Sequence, residues 1–382
     1  MTVDAIAPFP PLPLSALDRF AKRLITGQLN KLQRGQIQLS DGQGTILLGS
    51  ASDVRASIQV NHPRFYRSVL AGGTLSVAES YLQGDWDCGD LTTLFRVFVR
   101  NLDRADRLDS GLATLVGLGH RLHHWWRSNT HRGSRRNISA HYDLGNSFFR
   151  LWLDETMAYS CGVFLNPDST LQQASEEKFD RACRKLDLGP DDHLLEIGTG
   201  WGGLAIHAAM NYGCRVTTTT ISKEQAAIAR KRIDDAGLSH RITLLQQDYR
   251  DLEGKFDKLV SIEMIEAVGR RYFDAYFRKL GELLKPDGTA LLQAIVMPER
   301  RYEQYLKGVD FIQKYIFPGG CLPSVATMLG SAGRVTDLRF VHAEDFAPHY
   351  AQTLRCWRMT GCGSGRPPAK PVRPCAMAVA AG

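Results

Sequence analysis

From Asp191 onward, short apolar runs alternate with amphipathic helical patterns, and the first run ends in a glycine cluster, Glu196-Ile197-Gly198-Thr199-Gly200-Trp201-Gly202-Gly203. The strand-length runs are HLLEIG, CRVTTTT, RITLLQQD, FDKLVSIE, TALLQAI and RVTDLRFV. Strands that alternate with helices in this way pair in parallel, so the pattern predicts an α/β, doubly wound sheet. Glycines let the chain turn sharply after the first strand and approach a ligand closely. The helix that follows offers its free amides at the same point, so a nucleotide site is expected there.

Two kinds of nucleotide fit the glycines. Gly198 to Gly203 satisfies G-x-G-x-x-G, which points to a dinucleotide. An acid two residues before the first glycine, Glu196, with Gly200, Trp201 and Gly202 beyond, is instead the form in which methyltransferases hold the methionine end of S-adenosylmethionine. The fourth strand's continuation SIEMIEAVG and the helix YFRKLGELLKPDG before the fifth resemble the class I, Rossmann-like methyltransferases. After the second strand, where an acid usually grips the ribose, the chain has Thr220, Ile221, Ser222 and Gln225, whose neutral groups can make those hydrogen bonds. Ser222 also reads as a helix cap. Asp248, Tyr249 and Arg250 follow the third strand, where they offer the adenine an acceptor and a ring face.

A chain of 382 residues is too long for one ordinary core. Ahead of the sheet, Leu14 to Leu32 reads as an amphipathic helix, ILLGS and ASIQV as strands, and PRFYRSVLAGG, VAESYLQGDWD and LTTLFRVFVRNL as helical segments with glycine stops. The expected organisation is a leader at 1–14, a small α+β domain at 15–119, a basic linker at 120–137, a catalytic domain at 138–358 and an unstructured tail at 359–382. The linker, HRLHHWWRSNTHRGSRR from residue 120, carries Trp125 and Trp126 among arginines and no acid. It reads either as a solvated connection or as an anchor to an anionic lipid surface. A net charge of +7 suits a polyanionic partner, and no nucleic-acid-reading motif accompanies it. The eight cysteines show no metal-finger spacing or disulfide framework, and no apolar run approaches a spanning helix. A reducing cytoplasmic setting with peripheral contact at the inner face of the membrane is expected.

The segments HYDLGNSFFRLWLDETMAYSCGVF, LEIGTGWGGLAIHAA, TISKEQ, QDYRDL, EMIEAVG, DFIQKYIFPGGCLPS and HYAQTLRCWR occur in this order. Together they resemble the cyclopropane-fatty-acid synthase family, which includes the mycolic acid cyclopropane synthases, over residues 15 to 358. The resemblance implies S-adenosylmethionine and bicarbonate as cofactors, unsaturated phospholipid as substrate and a possible homodimer. It implies that Tyr159 and Ser160 contact S-adenosylmethionine and that Cys161, Glu266, Gln293, Ile295 and Tyr350 surround the bicarbonate, Glu266 orienting it. Gln293 and Ala267 stand where histidine is frequent, and Thr199 where cysteine is common. Beyond Arg358 the match ends, and the last 24 residues, rich in Gly, Pro and Ala, imply a shifted frame or a truncation that removes the antiparallel seventh strand.

The chemistry explains the residue types. An isolated alkene is a weak nucleophile, so the sulfonium must meet it in a dry site. Methyl transfer leaves a carbocation on the lipid, which aromatic faces stabilise; Tyr159, Tyr315 and Phe317 are candidates. Ring closure then requires a base for a proton of the added methyl. Loss of a different proton gives a methylene or branched chain instead. An inactive lipid-binding member of the family and a nucleic-acid methyltransferase are the competing classes, and FIQKYIFPGG and HYDLGN speak against the latter.

Overall fold

The computed structural model describes residues 13–101 and 145–363, without the side chains of 361–363. The leader up to residue 12, the basic segment at 120–137 and residues 364–382 lie outside the described residues. The chain divides into two compact units.

In the first unit, helix α1 (Ala16–Leu29) starts on a capping box in which Ser15 and Asp18 satisfy each other's backbone amides. Ala21, Ile25 and Leu29 recur every fourth residue and form its buried face. Strands β1 (Gly35–Asp41), β2 (Gly44–Ser50), β3 (Arg55–Val60) and β4 (Trp86–Asp87) make a sheet of order β2-β1-β3-β4. The alternation in β1 buries Ile37 and Leu39 completely, and that in β3 buries Ala56, Ile58 and Val60. The glycines expected to stop a helix only bend one: α2 (Arg64–Leu82) runs through Gly73, whose φ of 59° and ψ of −145° kink it. Helix α3 (Leu91–Val99) closes the unit. Buried Asn101 then accepts from the Gln33 and Arg34 amides and donates to the Arg34 and Val97 carbonyls.

The second unit opens with α4 (Asn146–Phe149) and α5 (Leu171–Lys185). Its sheet comprises β5 (His193–Ile197), β6 (Arg215–Thr219), β7 (Ile242–Leu245), β8 (Phe256–Ile262) and β9 (Leu284–Gln293), all parallel, in the order β7-β6-β5-β8-β9. Helices α6 (Gly203–Tyr212), α7 (Lys223–Asp235) and α8 (Phe273–Leu283) connect them. Leu194 and Leu195, adjacent in β5 and fully buried, enter separate cores on the two faces of the sheet. Strand order reverses at β5, which has β6 on one side and β8 on the other. The crevice at the carboxyl ends of these strands is where such a sheet receives ligands.

Two expectations need correction. RVTDLRFV is not a strand: helix α10 (Val325–Val335), which follows α9 (Glu299–Tyr305), ends there, and residues 336–346 hold no regular element. Thr336 packs instead against Gly281 of α8, and Leu338 joins the core beneath that helix. Among the described residues β9 pairs with β8 alone, so no strand lies beyond it to pair with a sixth. Nor does irregular chain begin at residue 359. Helix α11 runs Ala347–Gly363, and the Thr360 hydroxyl bonds the Cys356 carbonyl one turn back at 3.0 Å.

Candidate active site

The glycine loop after β5 turns through three residues with positive φ: Gly198 at 109°, Gly200 at 53° and Gly202 at 87°. The Gly198 and Thr199 amides both donate to the Thr219 carbonyl at 3.1 Å, which locks the loop to the end of β6. Behind it the Thr199 and Thr218 hydroxyls lie 2.6 Å apart, and Thr218 donates to the Glu196 carboxyl at 2.6 Å. Burial pushes Glu196 up to about 8, so an incoming ammonium group would meet a carboxyl that has a strong reason to ionise beside it. Arg232 of α7 donates to the carbonyls of Thr156, Trp201 and Glu155, and thereby ties the loop to the segment that leads into Tyr159.

This loop forms one wall of a cavity of about 200 Å³. Of the residues expected to hold S-adenosylmethionine, Tyr159, Ser160, Glu196, Gly198, Gly200, Trp201, Thr220, Ile221, Gln225, Asp248, Tyr249 and Arg250 line it. Gly202 and Ser222 do not. A side chain at Gly202 would meet Ala229 of α7 at 3.4 Å, so this glycine serves the close approach of loop and helix. Ser222 turns its hydroxyl to the Gln225 amide as the cap of α7, leaving Thr220 and Gln225, bonded to each other at 2.9 Å, on the wall. Asp248 is gripped by two nitrogens of Arg250, at 2.8 and 2.6 Å. The Arg250 guanidinium also lies over the rings of Tyr249 and Tyr272. The Trp201 indole is 2% exposed and donates to Asn146, so it braces the wall from inside the core.

The five residues expected around an anion do not line the cavity; they come together around Glu263 and Glu266, of which Glu263 lines it. The Cys161 amide donates to Glu263 Oε1 at 2.8 Å, and so does Gln293 Nε2 at 2.8 Å. The Ile295 amide donates to Glu266 Oε1 at 2.5 Å, and the other Glu266 oxygen is buried without a partner. Burial, with like-charge repulsion from Glu263, pushes Glu266 up to about 8. Burial likewise pushes the Cys161 thiol up to about 12, so it stays protonated. Tyr350 sits within electrostatic reach of Glu263, Cys161 and Glu266, and burial raises its hydroxyl too. Helix α11 fastens the loop of Cys161 through Thr353, which accepts from the Gly162 amide at 3.0 Å.

Two members of this cluster escape the motif reading. Glu263 ends FDKLVSIE, where a strand-terminal acid looks like an ordinary cap. Lys178 is 2% exposed, donates to the Ser160 hydroxyl at 2.6 Å and is lowered by burial to about 8. The available signal was its place between Ala174 and Ala182 on the buried stripe of α5. Of the three candidate aromatics, Tyr159 and Phe317 line the cavity with ring centroids 6.4 Å apart, whereas Tyr315 is 46% exposed and does not line it.

The family model described as mycolic acid cyclopropane synthetase matches residues 129–360. The chain belongs to the cyclopropane-fatty-acid synthase family. It is 38% identical to tuberculostearic acid methyltransferase UfaA1 of Mycobacterium tuberculosis over 93% of this chain and 83% of that one. Identity to the cyclopropane-fatty-acyl-phospholipid synthase of Escherichia coli K12 is 36%, over 84% of this chain and 79% of that one. Among solved structures, cyclopropane synthase CmaA1 complexed with SAH and CTAB superposes with a TM-score of 0.57 at 34% identity, covering 60% of this chain and 84% of that one. As a member of this family, the protein is an S-adenosylmethionine-dependent methyltransferase.

Two outcomes follow for this site. A side chain added at Gly200 meets no atom within 4 Å and so extends into the cavity. S-adenosylmethionine should raise the melting temperature of the parent and leave that of Gly200→Leu unmoved; an undiminished rise in the variant would place the cofactor elsewhere. For Glu266, unfolding returns the carboxyl from about 8 to its ordinary 4.5, so between these values the folded chain binds more protons than the unfolded one. Its contribution to stability is complete below 4.5 and is lost as pH rises toward 8. Denaturant titrations across that range should show a flatter decline for Glu266→Gln than for the parent, and parallel declines would mean that Glu266 is not shifted.

Proposed function

We propose that the enzyme methylates the double bond of unsaturated phospholipid acyl chains and closes a cyclopropane ring on them. The observation that carries this reading is that Tyr159, Phe317 and the carboxyl of Glu263 line the same cavity as the glycine loop. S-adenosylmethionine supplies an electrophilic methyl group. Tyr159 and Phe317 offer π faces to the cation that forms on the lipid, a stabilisation that forms no covalent bond. Lys178 and Arg232 are engaged by Ser160 and by backbone carbonyls, which fixes the loops on either side of the cavity. The same cation yields a methylene or methyl branch if a different proton leaves, and the relatives include both a cyclopropane-fatty-acyl-phospholipid synthase and a tuberculostearic acid methyltransferase.

The resident bicarbonate that the family implies does not fit this chain. Its three N–H donors, on Cys161, Gln293 and Ile295, already serve Glu263 and Glu266, and an added anion would face both carboxyl groups. Contact with the substrate we assign to an anionic membrane surface at its cytoplasmic face, through the basic segment at 120–137, with a homodimer as the expected assembly. No described helix is long and apolar enough to cross a membrane.

The test is transfer of labelled methyl from S-adenosylmethionine to vesicles of unsaturated phospholipid, followed by mass spectrometry of the released acyl chains. Label in a saturated, ring-bearing chain is the expected result, and label in a methylene chain identifies the branching outcome. Absence of any lipid-borne label from a preparation that binds S-adenosylmethionine would sink the reading.

A further inference from the structure

The carboxylate of Glu263 stands where the family's anion is expected, and this has a chemical consequence. Resting on the lipid-methylation reading above, we infer that Glu263 is the catalytic base of this enzyme, so that it removes the proton from the methylated lipid without bicarbonate.

Four observations support the assignment. Glu263 Oε1 takes both the Cys161 amide and the Gln293 side chain at 2.8 Å, the donors that would otherwise hold the anion. Glu263 lines the cofactor cavity, and Glu266 does not. The two carboxyls are also differentiated. Burial raises both, Glu266 to about 8, and at Glu263 the Cys161 amide, the Lys178 ammonium and the Gln293 side chain oppose that rise. Paired acids in different surroundings take separate roles, and the one that lines the cavity is Glu263. Finally, Glu263 is one of only three non-glycine residues with positive φ among the described residues, at 48°. A bulky residue in that conformation carries a backbone cost and is concentrated at working sites.

The step balances. The S–CH₃ bond breaks and the alkene electrons form a C–C bond to the methyl, leaving S-adenosylhomocysteine and a cation on the neighbouring lipid carbon. A proton passes from the added methyl to Glu263 while its C–H electron pair closes the ring, or forms a methylene double bond after a hydride shift. The protonated Glu263 gives its proton to water when product leaves, and the enzyme returns unchanged.

The experiment compares the parent chain with Glu263→Gly and Glu263→Gln. Glycine suits the positive φ, which offsets part of the cost of the freed donors, and Glu263→Gln keeps a side chain on them as the second variant. Carbon dioxide released by acidifying gel-filtered protein should be absent from the parent and stoichiometric in Glu263→Gly equilibrated with bicarbonate, where the freed donors face an open site. In buffer purged of carbon dioxide, parental methyl transfer to vesicles should match that in added bicarbonate. Glu263→Gly should fall by about 10²- to 10⁴-fold and recover in part with bicarbonate, and Glu263→Gln should fall without recovery. Bicarbonate recovered from the parent, a parental rate that collapses on purging, or undiminished turnover in Glu263→Gly each overturns the assignment. If no preparation methylates lipid, the substrate reading fails, and the carbon dioxide content still decides which group occupies the site.

Discussion

A carboxylate withdrawn from water survives only where donors replace its hydration. Glu263 obtains two from chain segments far from its own, the Cys161 amide 102 residues away and the Gln293 side chain 30 residues away. These contacts join the end of β8, the end of β9 and the loop that carries Tyr159, which are the three segments around the reacting end of the cavity. Glu266 makes the same kind of bond to Ile295, and the mutual repulsion of the two acids is relieved by keeping Glu266 protonated. Lys178, bonded to Ser160, completes the charge balance from α5. Removing the Glu263 contacts would leave buried donors unsatisfied on two loops, so the arrangement is structural as well as chemical.

The other end of the site depends on backbone geometry. The glycines after β5 hold the loop against β6, and the parallel sheet puts β5, β6 and β8 ends beside one another. The Thr199, Thr218 and Glu196 chain of hydrogen bonds lies beneath that loop, and the Asp248–Arg250 pair faces it across the cavity. The polar wall and Glu263 thus line one cavity, as the proposed reaction between a charged sulfonium and an apolar alkene requires.

Much of this was legible in the sequence because it is local. Short apolar runs between helical patterns marked β5 to β9, and glycine spacing marked the sharp loop after β5. What was not legible depends on partners. RVTDLRFV has the composition of a strand, but a strand needs a ladder, and Thr336 found Gly281 instead. Strand β1 was not among the expected strands, although Ile37 and Leu39 alternate within it. Glu263 and Lys178 acquire meaning only when folding brings Gln293, Cys161 and Ser160 to them. Ser222 and Gly202 were read as ligand contacts when their work is to cap α7 and to let it approach.

The central claim is that this chain's own carboxylate occupies the position expected for an anion in its family. The most direct measurement is a crystal structure of the full chain with S-adenosylhomocysteine, grown in bicarbonate. The account predicts the Glu263 carboxylate on the Cys161 amide and the Gln293 side chain, with no planar anion between them. A bicarbonate held by Cys161, Gln293 and Ile295, with Glu263 turned away, would contradict it.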